Sequence, residues 1–95
     1  MSVADIESCI RILLERYHAE YALLFGSYAR GEATPDSDVD VVVAGGSGFQ
    51  KTNILAFAED LRIMTGKNVD AFELCELDEG SPIYNAVMRE GRRIA

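Results

Sequence analysis

The run from Asp38 to Ala44, Asp-Val-Asp-Val-Val-Val-Ala, constrains the fold more than any other stretch. Its valines are β-branched and stiff at χ1, so they favour a pleated strand. They also lead directly from two aspartates into the core. Two further apolar runs read as strands. Residues 20–26 are rich in large and aromatic side chains and end on Gly26, and residues 67–74 form a third strand in which Asp70 stands between Val69 and Ala71. The segments between them have helical spacing. Over residues 2–18, Val3, Ile6, Ile10, Leu13, Leu14 and Tyr17 form one stripe, and Ser2 with Asp5 has the spacing of a capping box. A second helix is expected over 48–65, with Ser47 and Gln50 as its capping box, a stripe of Ile54, Phe57, Ala58, Leu61 and Met64, and Gly66 as a left-handed stop. A third spans 81–90, with Ser81 as N-cap and Pro82 at its first position. Residues 27–32 suit one helical turn closed by Gly31, residues 33–37 a loop, and residues 92–95 a short edge strand. The short link between the first two strands favours an antiparallel pair. The expectation is one α/β domain over residues 1–95, with a small mixed sheet of three to four strands flanked by helices.

Charge narrows the function. Nine basic residues against sixteen acidic ones give a net charge of −7. This argues against a broad nucleic-acid footprint, which needs a basic face. It leaves room for a phosphate ligand that brings its own cation, and for a basic protein partner. Cys9 and Cys75 are expected to be reduced core thiols, too few and too far apart for a zinc site. Early acids, Asp5 and Glu7, replace the basic start of a signal sequence, and no apolar run reaches the ~20 residues of a membrane span. A cytoplasmic protein without membrane contact is expected. His18, the only histidine, lies near the end of the first helix and suits a surface or capping role better than that of a base.

Asp38 and Asp40 stand two apart on a strand, so their carboxylates share one face at a spacing of ~6–7 Å. They are either a solvated acidic turn or an arrangement that a divalent cation makes favourable, and hard oxygen donors suit Mg²⁺. A calcium loop is excluded, because its glycine and glutamate positions hold Val41 and Ser47. Gly26-Ser27 closes the first strand. Glycine lets a ligand approach the backbone, and the serine hydroxyl with the N–H groups that follow can hold phosphate oxygens. No Walker A loop is present. Asp70 is either an edge-strand charge or, if its strand lies beside the second, a third member of the acidic cluster.

Gly26-Ser27, ten residues, Asp38-X-Asp40 and a later Asp70 together resemble the GSx10DxD signature of the polymerase-beta-like nucleotidyltransferase superfamily. Within it, the stretch Gly26-Ser-Tyr-Ala-Arg-Gly31 followed by Ser37-Asp-Val-Asp40 is similar to the minimal nucleotidyltransferase (MNT) family, and the resemblance extends to the closing Met88-Arg-Glu-Gly-Arg-Arg-Ile94. It implies the nucleotidyltransferase fold. It gives Gly26 and Ser27 the nucleotide's terminal phosphates and gives Asp38, Asp40 and Asp70 the metal, two Mg²⁺ ions. Asp70 also helps activate the incoming hydroxyl. Arg30 is implied either to contact phosphate or to brace the loop, with a salt bridge to Glu32 or Asp36 as the alternative. ATP is the implied substrate, and a HEPN-domain toxin is the implied partner, in a possible hetero-oligomer. AMP would pass to a tyrosine of that toxin. The alternatives are an antitoxin that neutralises by binding alone and a small-molecule nucleotidyltransferase completed by a partner subunit. Because larger relatives grip the acceptor with an added helical domain, the acceptor surface here is expected to come largely from a partner.

Overall fold

The computed structural model describes residues 1–95. Helix α1 (Val3–Arg16) starts on the expected capping box: Ser2 Oγ accepts the Asp5 N–H at 3.2 Å, and Asp5 Oδ2 accepts the Ser2 N–H at 3.0 Å. It ends in a Schellman-type turn. His18 takes a left-handed φ of 58°, and the Ala19 N–H reaches back to the Leu14 carbonyl at 2.9 Å. His18 is exposed and is thus both surface and cap. Strand β1 (Tyr21–Phe25), the single-turn helix α2 (Ser27–Arg30), β2 (Val39–Ala44), α3 (Asn53–Thr65) and β3 (Val69–Glu73) follow. A 3₁₀ turn (Leu74–Glu76), α4 (Pro82–Glu90) and the short β4 (Arg92–Ile94) complete the chain.

The four strands form one mixed sheet in the order β3-β2-β1-β4. β1 runs antiparallel to both β2 and β4, and β2 runs parallel to β3 through the α3 crossover. Strand alternation divides β2 between two cores. Val39, Val41 and Val43 meet Ile6, Ile10, Leu13 and Leu14 of α1 and Phe57 and Leu61 of α3. Val42 points the other way, to Phe25 and Val87 of α4. The first face is covered by two helices and the second by the nine-residue α4, so part of the second face stays open.

Two sequence expectations are corrected. The helix expected over 48–65 begins only at Asn53. The Ser47–Gln50 capping box does not form, and the N-cap, Thr52, makes no side-chain bond. The reason is Phe49, which is 7% exposed and fills the space beside Gly45, where a Cβ would strike its ring. Burying a phenylalanine contributes about 1.5–3 kcal/mol, whereas a cap contributes about 1 kcal/mol, so the chain folds Phe49 inward. Cys75 is not a core thiol: it is exposed, while Cys9 packs partly buried against the core, and both are free. The 3₁₀ turn that ends β3 carries Cys75 outward and leaves the neighbouring Leu74 to pack against the smaller core.

Candidate active site

The open end of the second face lies where β1 finishes and β2 and β3 begin. Register places Asp40 opposite Phe25 on one side and opposite Asp70 on the other. Paired positions on neighbouring strands share a face, so Asp40 and Asp70 lie on the face that carries Val42 and Phe72, past the reach of α4. Asp38 precedes β2 by one residue. Asp38 and Asp70 are exposed, and Asp40 is half-buried. β3 is an edge strand and also lies beside β2, so both conditions weighed for Asp70 from the sequence are met.

Electrostatics single out Asp40. Its pKa is pushed up to about 6, first by burial and then by the negative charges of Asp70 and Asp38, with only Arg30 opposing the rise. Like-charged carboxylates around a partly desolvated group are unfavourable until a cation joins them. The donor set is all hard oxygen, which fits Mg²⁺. The carboxylates are nevertheless splayed: their ligand atoms do not all come within 4.8 Å of one another. That spacing occurs at Glu73, Cys75 and Glu76 instead. There the charge is already offset, because Lys51 Nζ pairs with Glu76 at 2.5 Å.

The Gly26-Ser27 corner faces this cluster. Gly26 has φ 75° and ψ −152°, a region open essentially to glycine alone. A Cβ there would also collide with Asp40 Oδ2. The corner is held from behind by α2. Tyr28 is 5% exposed and sits in the larger core, Arg30 N–H bonds to the Gly26 carbonyl at 3.1 Å, and Gly31 closes the turn in the left-handed region at φ 73°. The ten-residue spacer returns to Asp38 under its own restraints. The Ser37 hydroxyl accepts the Thr34 N–H at 2.8 Å, and Lys67 Nζ, lying over the Tyr28 ring, donates to the Pro35 carbonyl at 2.8 Å. Beside Asp38 this leaves a polar cavity of about 200 Å³, lined by Pro35–Asp38 and Gly66–Asn68.

Arg30 is engaged by carboxylates. Its Nε donates to Glu32 Oε2 at 3.2 Å and its Nη1 to Glu90 Oε1 at 3.0 Å, while Asp36 takes no part. Glu90 Oε1 also accepts the Gly26 N–H at 3.2 Å. Sequence reasoning missed Glu90, which is 64 positions from Gly26. One local signal was available: a glutamate on the last residue of a helix stands at the negative end of the helix dipole, where a carboxylate is unfavourable without another partner.

Residues 7–95 match the family described as polymerase beta, nucleotidyltransferase. The chain belongs to that family, and its enzyme class is nucleotidyltransferase. A protein adenylyltransferase, MntA, of Thermococcus cleftensis is 33% identical over 94 residues, 95% of this chain and 93% of that protein. A candidate protein adenylyltransferase of Methanocaldococcus jannaschii is 41% identical over 67 residues, 66% of this chain and 63% of the relative's length. Among solved structures, a candidate minimal nucleotidyltransferase superimposes with a TM-score of 0.78 at 28% identity, covering 97% of this chain and 95% of its own. A toxin-antitoxin structure with AMP-PNP gives 0.80 at 23% identity, over 94% of this chain and 72% of the other. An MNT antitoxin complex with a tri-AMPylated HEPN toxin of Shewanella oneidensis gives 0.75 at 20% identity, over 98% and 71%. The last two show the shared fold.

Proposed function

We propose that this chain is a Mg²⁺-dependent protein adenylyltransferase of the cytoplasm, an antitoxin that moves AMP from ATP to a tyrosine of a HEPN-domain toxin. The observation that carries the reading is the pairing of Asp40 with Asp70 on an open sheet end, with Asp38 beside them and the Gly26-Ser27 corner opposite. The relatives' adenylyltransferase names and the toxin-antitoxin neighbours, one with AMP-PNP and one with an AMPylated toxin, support the direction of transfer and the partner.

In this reading Asp38, Asp40 and Asp70 would hold the metal, and its positive charge would stabilise the attacking and leaving oxygens of an in-line displacement. The Ser27 hydroxyl and the backbone N–H groups after Gly26 bind the outer phosphates, and Arg30 braces the corner. The Asp70 carboxylate accepts the proton from the tyrosine hydroxyl. The new bond joins the tyrosine oxygen to the α-phosphorus, the α–β phosphoanhydride bond breaks, and pyrophosphate leaves with its electron pair. Residues 1–95 act as one domain, and the toxin supplies the acceptor surface.

The test is incubation of the chain with α-labelled ATP, Mg²⁺ and the protein encoded beside it. Label is expected on a tyrosine of that partner, and is expected to be absent with Asp38→Asn or Asp40→Asn. Variants that leave the partner unlabelled yet neutralise it as well as the parent would replace enzymatic silencing with silencing by binding.

A further inference from the structure

We infer that Glu90 is a positioning residue: it tethers the Gly26-Ser27 corner in the shape that receives the triphosphate. The inference rests on the reading of that corner as the phosphate site. One oxygen, Glu90 Oε1, takes both the Gly26 N–H and Arg30 Nη1, so it grips the backbone just before Ser27 and the side chain three residues after it. Pairing between β1 and β4 ends at Leu24 opposite Arg92. Beyond that point β4 offers no acceptor to the Gly26 N–H, and Glu90 supplies one. The carboxylate is itself well fixed. Its side chain is 17% exposed, Val87 one turn earlier is 1% exposed in the smaller core, and Gly91 follows with no space for a Cβ against the Val87 carbonyl. The acceptor is a carboxylate, so its bond to the Gly26 N–H is charge-assisted, and the same oxygen is held from the other side by Arg30 Nη1 at 3.0 Å. It therefore sets the peptide plane on which the sparsely populated Gly26 conformation, and hence the aim of the Ser27 hydroxyl and N–H, depends.

The residue thus acts through the corner and not on the reacting atoms, and its loss should weaken nucleotide binding without unfolding the chain. Calorimetric titration of the whole chain with Mg²⁺ and AMP-PNP is paired with amide hydrogen exchange at Gly26 in nucleotide-free protein, and with urea unfolding. Glu90→Ala loses the bonds to the Gly26 N–H and to Arg30 together and is expected to bind about tenfold more weakly and to exchange the Gly26 amide faster, with the urea transition retained. Glu90→Gln keeps an oxygen acceptor and is expected to stay within about threefold of the parent in binding, since neutral hydrogen bonds are weaker by a modest factor. Should Glu90→Ala lose its urea transition, Glu90→Met, which preserves volume without an acceptor, carries the same expectation. Parent-like binding in the folded Ala or Met variant, or weakened binding with an unchanged Gly26 amide, overturns the tether. A parent protein that binds no AMP-PNP overturns the phosphate-site reading instead, and Gly26 exchange still tests the tether.

Discussion

Asp40 sits where burial and two neighbouring carboxylates favour the protonated form, so its pKa rises from 3.8 to about 6. The folded chain therefore holds this proton more tightly than the unfolded chain does. The stabilisation from that proton is complete below 3.8 and is lost as pH rises through about 6. In EDTA, urea unfolding should show this loss between those limits. Asp40→Asn should flatten the profile and raise stability at neutral pH while abolishing AMP transfer; an unchanged profile would mean the carboxylate is not destabilised. At Gly26 the constraint is steric. Gly26→Ala adds a Cβ to a conformation at φ 75° and drives it into Asp40 Oδ2. The expected cost is about 1–3 kcal/mol, read by urea unfolding, together with loss of labelled transfer. Asp38, Asp40 and Gly26 stood out as candidates because their spacing along the chain is itself the signal, whereas Asp70 needed the register of β3 on β2. Glu90 did not stand out, because its partners lie across the sheet.

Among the elements, the strands and the first and last helices were legible. Their apolar periods and caps are local, and the Ser2 capping box and the Ser81 N-cap both form as read. The start of α3 was not legible, because Ser47 and Gln50 offer a valid cap that the burial of Phe49 overrides. Three substitutions measure that balance by urea unfolding monitored by circular dichroism. Phe49→Ala is expected to cost about 3–5 kcal/mol, as for a buried phenylalanine. Ser47→Ala should stay within about 0.5 kcal/mol, since that hydroxyl caps nothing. Ser81→Ala should cost about 1 kcal/mol, because Ser81 Oγ accepts the Tyr84 N–H at 3.2 Å. A Ser47 cost as large as that of Ser81 would contradict the observed helix start.

For the molecule as a whole, covering one sheet face with two helices and the other with a single short helix leaves an acidic end uncovered. No helix is long and apolar enough to cross a membrane. If that end takes Mg²⁺ and nucleotide, ligand at a hundred times its Kd should raise the unfolding free energy by about 2.7 kcal/mol. Asp38→Asn should lose most of that gain, and thermal unfolding with and without Mg²⁺ and AMP-PNP reads it. An equal gain in parent and variant would place the nucleotide away from the aspartates.

Sequence alone determined the local terms: which stretches are strands and helices, where the first and last helices are capped, and the Gly-Ser and Asp-X-Asp spacing that marks the family. Those follow from neighbour-to-neighbour sterics and from hydrophobic period. The tertiary structure decided how β3 registers against β2, so that Asp70 falls opposite Asp40, and which face α4 leaves open. It also decided that Phe49 turns inward and that Glu90 reaches the corner at Gly26. These depend on contacts between residues far apart in the chain, where burial and pairing outweigh the preference of any single segment.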